Sequence, residues 1–279
     1  MLNLPFLKTS SRMEIEDGEN IVALDIGTEQ LKSILFSTDS LGINIKKISR
    51  IEQQQHAMKS GIIKNLDTVL ENCRLAIAEL TEKLAQEEFP KKVVMGIAGE
   101  YIQGVSIVVN YQREENFEKE VSLKEEEKII DQIERKIEAS GKEDLSQRIG
   151  LTNDDIEILH VTKTGLEIGG MPVDSLVGYK GKDVRLNFYA SFAPRTYTEA
   201  LKRVASELEI EVLGIVSQPF AVARAFSGSR NRDFSGIFID IGGGTTDIAI
   251  VEKGNIVETK MFAFGGRTFT KEISKILDL

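Results

Sequence analysis

The chain has 279 residues, 41% of them hydrophobic and 28% charged, with a formal net charge of −9. That length exceeds the usual single domain, so more than one subdomain and a sizeable core are expected. The acidic balance argues against a nucleic-acid surface, which needs clustered Lys and Arg, and the single cysteine, Cys73, excludes an internal disulfide framework.

The opening MLNLPFLKTSSR sets Leu2, Leu4, Phe6 and Leu7 beside Lys8 and Arg12, a weak interfacial pattern. With Pro5 in so short a stretch, a flexible tail over residues 1–19 is the expectation. Ile21 to Phe36 reads as an apolar strand ending in Asp25-Ile26-Gly27-Thr28, followed by a second apolar strand carrying Lys32, whose ammonium could reach back toward a bound anion or simply be solvated. Gly42 to Gln54 is a further strand. A helix then starts at Asn65 or Asp67, with Leu66, Val69, Leu70, Cys73, Ile77, Leu80 and Leu84 on one face, and ends at Phe89-Pro90. Lys92 to Ala98 is a buried strand.

Residues 104–193 change character and read as an inserted α+β unit. It begins with a strand, Val105 to Val109, and an acid-rich run from Glu114 to Glu127. Ser122 and Glu125 then make a capping box for a helix closed by Gly141. Ile156 to Lys163, a turn at Gly165 and Leu166 to Val173 follow, and Asp183 to Phe192 alternates as an antiparallel strand with one apolar face. A capping box at Thr196 and Glu199 starts the next helix, and after the strand Val212 to Val216, Gln218-Pro219 opens another. Gln218 therefore stands where a strand meets a helix, a place from which a side chain projects into a crevice. His56 and His160 lack neighbours at ligand spacing, so no zinc motif is present, and both read as structural or surface residues.

Gly236 to Lys260 is the most informative stretch. Two apolar strands, the first buried, flank the tip Asp240-Ile241-Gly242-Gly243-Gly244-Thr245-Thr246-Asp247. Glycines with φ > 0 aim successive N–H groups at one point, a concave anion site to which Thr245 and Thr246 add hydroxyls. A lone tip of this kind is as readily a tight turn. Here it repeats the strand, Asp-Ile-Gly, Thr, strand order of the first hairpin, so two such tips face one another as a clamp for a phosphate chain, with Asp240 placed to hold the water shell of Mg²⁺. Gly265-Gly266 precedes a last helix, which runs to the end of the chain with no stop signal.

Together, DIGT at Asp25, QPFAVA at Gln218, DIGGGTTD at Asp240 and GG at Gly265 resemble the nucleotide-site motifs of the actin, sugar-kinase and heat-shock-chaperone superfamily. The spacing resembles FtsA, the actin-like family that ties the bacterial division ring to the membrane. The resemblance implies an α/β fold of actin-like (ribonuclease H-like) mixed sheets flanked by helices. It divides the chain into a first subdomain over residues 20–103 and 194–232, the insertion at 104–193, and the start of a second subdomain at 233–279, truncated before the adenosine motif. It also implies ATP and Mg²⁺ as cofactors. Asp25, Gly27, Thr28, Lys32, Asp240, Gly242, Gly243, Gly244, Thr245, Thr246, Gly265 and Gly266 would bind the nucleotide, Asp25 and Asp240 would hold Mg²⁺ through water, and Gln218 with the two aspartates would serve slow hydrolysis. The expected partners are the tubulin-like FtsZ and further copies of the chain, in the cytoplasm at the inner face of the membrane, with no nucleic acid. Pilus-assembly actin homologues of the PilM type and sugar or acetate kinases are the alternatives. Glu29-Gln30 departs from the small or basic residues common after the first motif and adds negative charge near the phosphates.

Overall fold

A computed structural model describes residues 15–114, 117–227 and 234–279. Most of the expected N-terminal tail and part of the acidic run, residues 115–116, lie outside the described residues.

The first sheet has five strands, β1 (Ile21–Ile26), β2 (Gln30–Asp39), β3 (Gly42–Glu52), β6 (Lys92–Ile97) and β11 (Glu211–Ser217). Their spatial order is β11-β6-β1-β2-β3, with β1 antiparallel to β2 and parallel to β6. Alternate residues of a strand share a face, so Val22, Leu24 and Ile26 join Leu31, Leu35, Val93, Met95 and Ile97 in one apolar layer. Helix α1 (Leu66–Thr81) contributes Val69, Leu70, Cys73 and Leu80 to that layer, and α3 (Arg195–Glu207) contributes Leu201, Val204 and Ala205. Burial pushes the Cys73 thiol up to about 12, so this cysteine is a packing residue.

Between these segments lie the two-residue strands β4 (Met58–Lys59) and β5 (Ile62–Ile63), which pair with each other, and β7 (Gln103–Gln112). The second sheet takes β7 together with β8 (Ile156–Ile168), β9 (Met171–Pro172), β10 (Asp183–Pro194), β12 (Gly236–Ile241), β13 (Thr246–Glu252) and β14 (Asn255–Phe262), in the order β12-β13-β14-β7-β10-β8-β9. Strands of the insertion and the glycine-tipped hairpin thus share one sheet, joined where Glu258, Thr259 and Lys260 pair with Val105, Gly104 and Gln103. The long helix α2 (Leu123–Ile149) lays Ile129, Ile133, Ile137 and Leu145 on Val184, Leu186, Phe188, Ala190 and Phe192. The opposite face of β10 turns Tyr189 toward Phe220 of α4 (Gln218–Ser227), and the buried His160 packs at a tilt against Phe220 with ring centroids 3.9 Å apart. Burial lowers the His160 imidazole to about 3, so it stays neutral at physiological pH. The chain closes with α5 (Gly266–Leu277).

Several boundaries differ from the sequence-based expectation, each for a local reason. Helix α2 runs through Gly141 and stops at Gly150, whose φ of 71° supplies the left-handed cap. Gly141 is internal because a Cβ there would lie 2.0 Å from the Phe192 ring. Gly165 likewise makes no turn: β8 continues through it with a register shift opposite Asn187/Phe188, and the chain reverses at Gly169-Gly170, both with positive φ. Helix α3 begins at Arg195 after Pro194, without the Thr196 cap, and Thr198 instead donates to Glu157 at 2.5 Å. Helix α1 ends at Thr81, short of Leu84. Ser122 does cap α2, accepting from the Glu125 amide at 3.3 Å, but the Glu125 carboxylate pairs with the buried Arg113 guanidinium at 2.8 Å rather than folding back to complete the box. Finally, β12 is an edge strand, and Ile237, Ile239 and Ile241 are exposed instead of buried.

Candidate nucleotide-phosphate site

The two glycine hairpins are built alike, residue for residue. In the first, β1 and β2 set Asp25 opposite Lys32, and the Gly27 amide donates to the Gln30 carbonyl at 3.1 Å. In the second, β12 and β13 set Asp240 opposite Asp247, and the Gly242 amide donates to the Thr245 carbonyl at 2.9 Å. The repeat therefore equates Gly27 with Gly242, Gln30 with Thr245, and Lys32 with Asp247. Where the first hairpin answers its aspartate with a cation, the second answers with another acid.

The tips touch. A Cβ on Gly244 would lie 2.5 Å from the Thr28 hydroxyl oxygen, and one on Gly243 would lie 2.9 Å from Cβ of Glu29. None of Gly242, Gly243 and Gly244 adopts a left-handed φ, so the expected φ > 0 turn is not what the glycines serve. Their missing side chains let the two tips approach. Gly265 meets the same demand on the far side, since a Cβ there would lie 2.4 Å from the Gly242 carbonyl oxygen. That close fit lets the first turn of α5 dock on the tip, with the amides of Gly266 and Arg267 donating to the carbonyls of Gly242 and Gly243 at 2.8 and 3.0 Å. Thr246 gives its hydroxyl proton to the Phe264 carbonyl at 2.8 Å, and the Thr28 hydroxyl accepts from the Gly61 amide at 3.3 Å.

Five elements, β1, β2, α4, β12 and β13, bring polar or charged groups to this seam. Gln218, the first residue of α4, donates its side-chain amide to Asp25 at 2.5 Å, and the Lys32 ammonium lies 3.6 Å from the other Asp25 oxygen. Burial raises the Asp25 carboxyl above its usual range, Lys32 partly offsets this, and Asp240 adds to it. Asp247 was not singled out from sequence, although it ends the second motif. It is 3% exposed, its Oδ1 has no hydrogen-bond partner, and burial, with the charges of Asp240 and Asp25, pushes its carboxyl up to about 7. The signal that could have found it was the repeat: Asp247 stands as far beyond Asp240 as Lys32 stands beyond Asp25.

Three acids against one lysine leave an excess of negative charge that a divalent cation would relieve, so the donor set fits Mg²⁺ held through water. Among the described residues, no three His, Cys, Asp or Glu side chains converge tightly enough to ligate a metal directly. A separate cavity of about 250 Å³ lies beside the first hairpin, lined by Ile26, Met58, Gly61, Gly96 and Tyr197 among others, and none of the predicted site residues lines it.

A family model described as cell division protein FtsA matches residues 237–279, which hold the second hairpin and α5. Cell division protein FtsA of Bacillus subtilis is 25% identical over 275 residues, covering 93% of this chain and 55% of that protein. Cell division protein FtsA of Neisseria meningitidis is 25% identical over 258 residues, covering 92% of this chain and 58% of that protein. The chain thus spans just over half the length of the curated relatives it matches. Among solved structures, a chain of the PilM-PilN type IV pilus biogenesis complex superposes with a TM-score of 0.64 over 93% of this chain and 66% of its own, at 12% identity. The chain is FtsA-like in sequence and actin-like in fold.

Proposed function

We propose that the chain binds the phosphates of Mg-ATP between its two glycine hairpins and acts as a cell-division scaffold of the FtsA type. The observation that carries the nucleotide part is the convergence of Asp25, Lys32, Gln218, Asp240 and the orphaned Asp247 on a seam formed by two equivalent hairpin tips. Bound Mg²⁺ would offset phosphate charge there. Asp25 and Asp240 would hold its water shell, and Lys32, which balances Asp25, would face the phosphates. Gln218 is fixed by Asp25 through its amide nitrogen, which leaves its carbonyl oxygen to accept from a water at the terminal phosphate. Catalysis on this plan is positional and electrostatic.

The scaffold part rests on the FtsA relatives. In this reading the chain joins the tubulin-like FtsZ to the inner face of the membrane and associates with further copies through the insertion. No helix among the described residues is long and apolar enough to cross a bilayer, and attachment in this reading is peripheral. A second reading, a pilus-assembly homologue of the PilM type, is favoured by the structural likeness, whereas the sequence similarity favours FtsA. Pull-down with the FtsZ tail against a PilN-type peptide separates the two.

Asp240→Ala is expected to weaken Mg-ATP binding at least about tenfold, as befits loss of one of the two carboxylates proposed to hold the water shell of the cation. Unchanged affinity by calorimetry would sink the phosphate-clamp assignment.

A further inference from the structure

Next to the paired tips lies an ion pair that the nucleotide reading does not use. Glu29, directly after Thr28 at the first tip, meets Arg267, the second residue of α5, with Oε2 and Nε 2.5 Å apart. The pair bridges the two hairpins. The Glu29 carbonyl accepts from the Gln53 amide at 2.8 Å, which anchors it to the first sheet, while the Arg267 amide is bonded to the Gly243 carbonyl of the second tip. On its way the Glu29 side chain lies along Gly243, where a Cβ would come within 3.1 Å of its carboxylate oxygen. A carboxylate of the chain itself thus rests against the middle glycine of the second tip and holds Arg267.

We propose that Glu29 and Arg267 form a latch on the clamp: a polyphosphate enters by taking Arg267 away from Glu29, and the vacated carboxylate is pushed off by the incoming charge. This rests on the phosphate-clamp reading. The exchange is physically easy in one direction. The pair is partly exposed, with side-chain accessibilities of 29% for Arg267 and 59% for Glu29, so it is weakly held. A guanidinium facing a multiply charged phosphate gains a stronger, forked partner than a single carboxylate offers. Glu29 therefore sets a threshold: weakly charged anions leave the latch shut, and polyphosphates open it. Because Arg267 is also fixed to the tip through its own backbone, opening frees the first hairpin from α5 without undocking the helix.

The test uses tripolyphosphate, which carries the charge of the nucleotide tail without a nucleoside. It is titrated calorimetrically into the wild-type chain, Glu29→Gln, Arg267→Gln and the double variant at low salt. Both side chains are partly exposed, so the variants are expected to melt as the wild type does. The latch requires Glu29→Gln to bind about fivefold tighter in the wild-type background, and to bring little gain when Arg267 is already Gln. An equal gain in both backgrounds overturns the latch, because Glu29 then acts only as a nearby charge; no gain in either overturns it too. If Asp240→Ala still weakens Mg-ATP binding in those cases, the clamp survives without the latch. Absence of tripolyphosphate binding to the wild type and to every variant overturns clamp and latch together.

Discussion

Asp240 and Asp247 face each other across an antiparallel pair, where like charges cost stability. A fold keeps such a pair when the position serves something other than folding, which is why Asp247 belongs with the candidate site. Its pH dependence follows from its environment. The carboxyl rises from 3.8 to about 7 in the folded chain, so between those values unfolding releases a proton that the native state holds. Stability is therefore lost as pH rises through that window and levels off above it. Asp247→Asn removes the penalty and is expected to be more stable than the wild type at pH 8 by on the order of 2 kcal/mol, the gain shrinking toward pH 4. Denaturant midpoints of both proteins across that range check the sign; a pH-independent difference would mean the carboxyl is not ionising against buried charge. The acid limb has another source, His160, which must charge on unfolding below its usual 6.5 and stays neutral in the core down to about 3.

At the scale of elements, the sequence made the strands and most helices legible because their apolar periods are strong. Val22, Leu24 and Ile26 alternate on β1, and Val69, Cys73 and Leu80 recur along α1. What was illegible was glycine used for room rather than for turning. Gly141 and Gly165 look like punctuation in the chain, yet the first makes space for the Phe192 ring and the second for the Asn187 side chain. Nothing local distinguishes these uses, since the neighbour that needs the space is far away in sequence. Gly141→Ala settles which effect wins. Helix propensity favours alanine by about 1 kcal/mol, but the new methyl carbon would lie 2.0 Å from the Phe192 ring. The expected net result is a loss of about 1 to 3 kcal/mol in thermal unfolding, largely recovered by adding Phe192→Leu. The same blindness covered the paired tips: the repeat groups the motif residues, while the reason for Gly243 and Gly244, contact with Glu29 and Thr28, needed both hairpins in place.

The molecule as a whole is held together by the second sheet, which runs without a break from the glycine hairpin to the far edge of the insertion. The glycine hairpin joins the insertion strands through the short pairing of β14 with β7, buttressed by the 2.7 Å hydrogen bond between Tyr189 and Thr259. Gly104 lies under that bond, and a Cβ there would sit 1.8 Å from the tyrosine oxygen. Gly104→Ala is expected to cost about 1 to 3 kcal/mol and to expose the amides of residues 258–260 and 103–105 to hydrogen exchange together, while β1, β2 and β6 keep their protection. Exchange confined to residues 103–105 would mean that the joint is not a structural unit. At the other end of that sheet α5 stands on the second tip by two backbone hydrogen bonds, with no buried residue and with Phe269, Ile273, Ile276 and Leu277 exposed along one stripe. Twelve residues make a rod about 18 Å long. A tilt of about 10° at its foot carries the far end through about 3 Å. Helix α5 has the geometry of a pointer: a tilt at the glycine tip would be magnified along the rod into a displacement of its oily stripe.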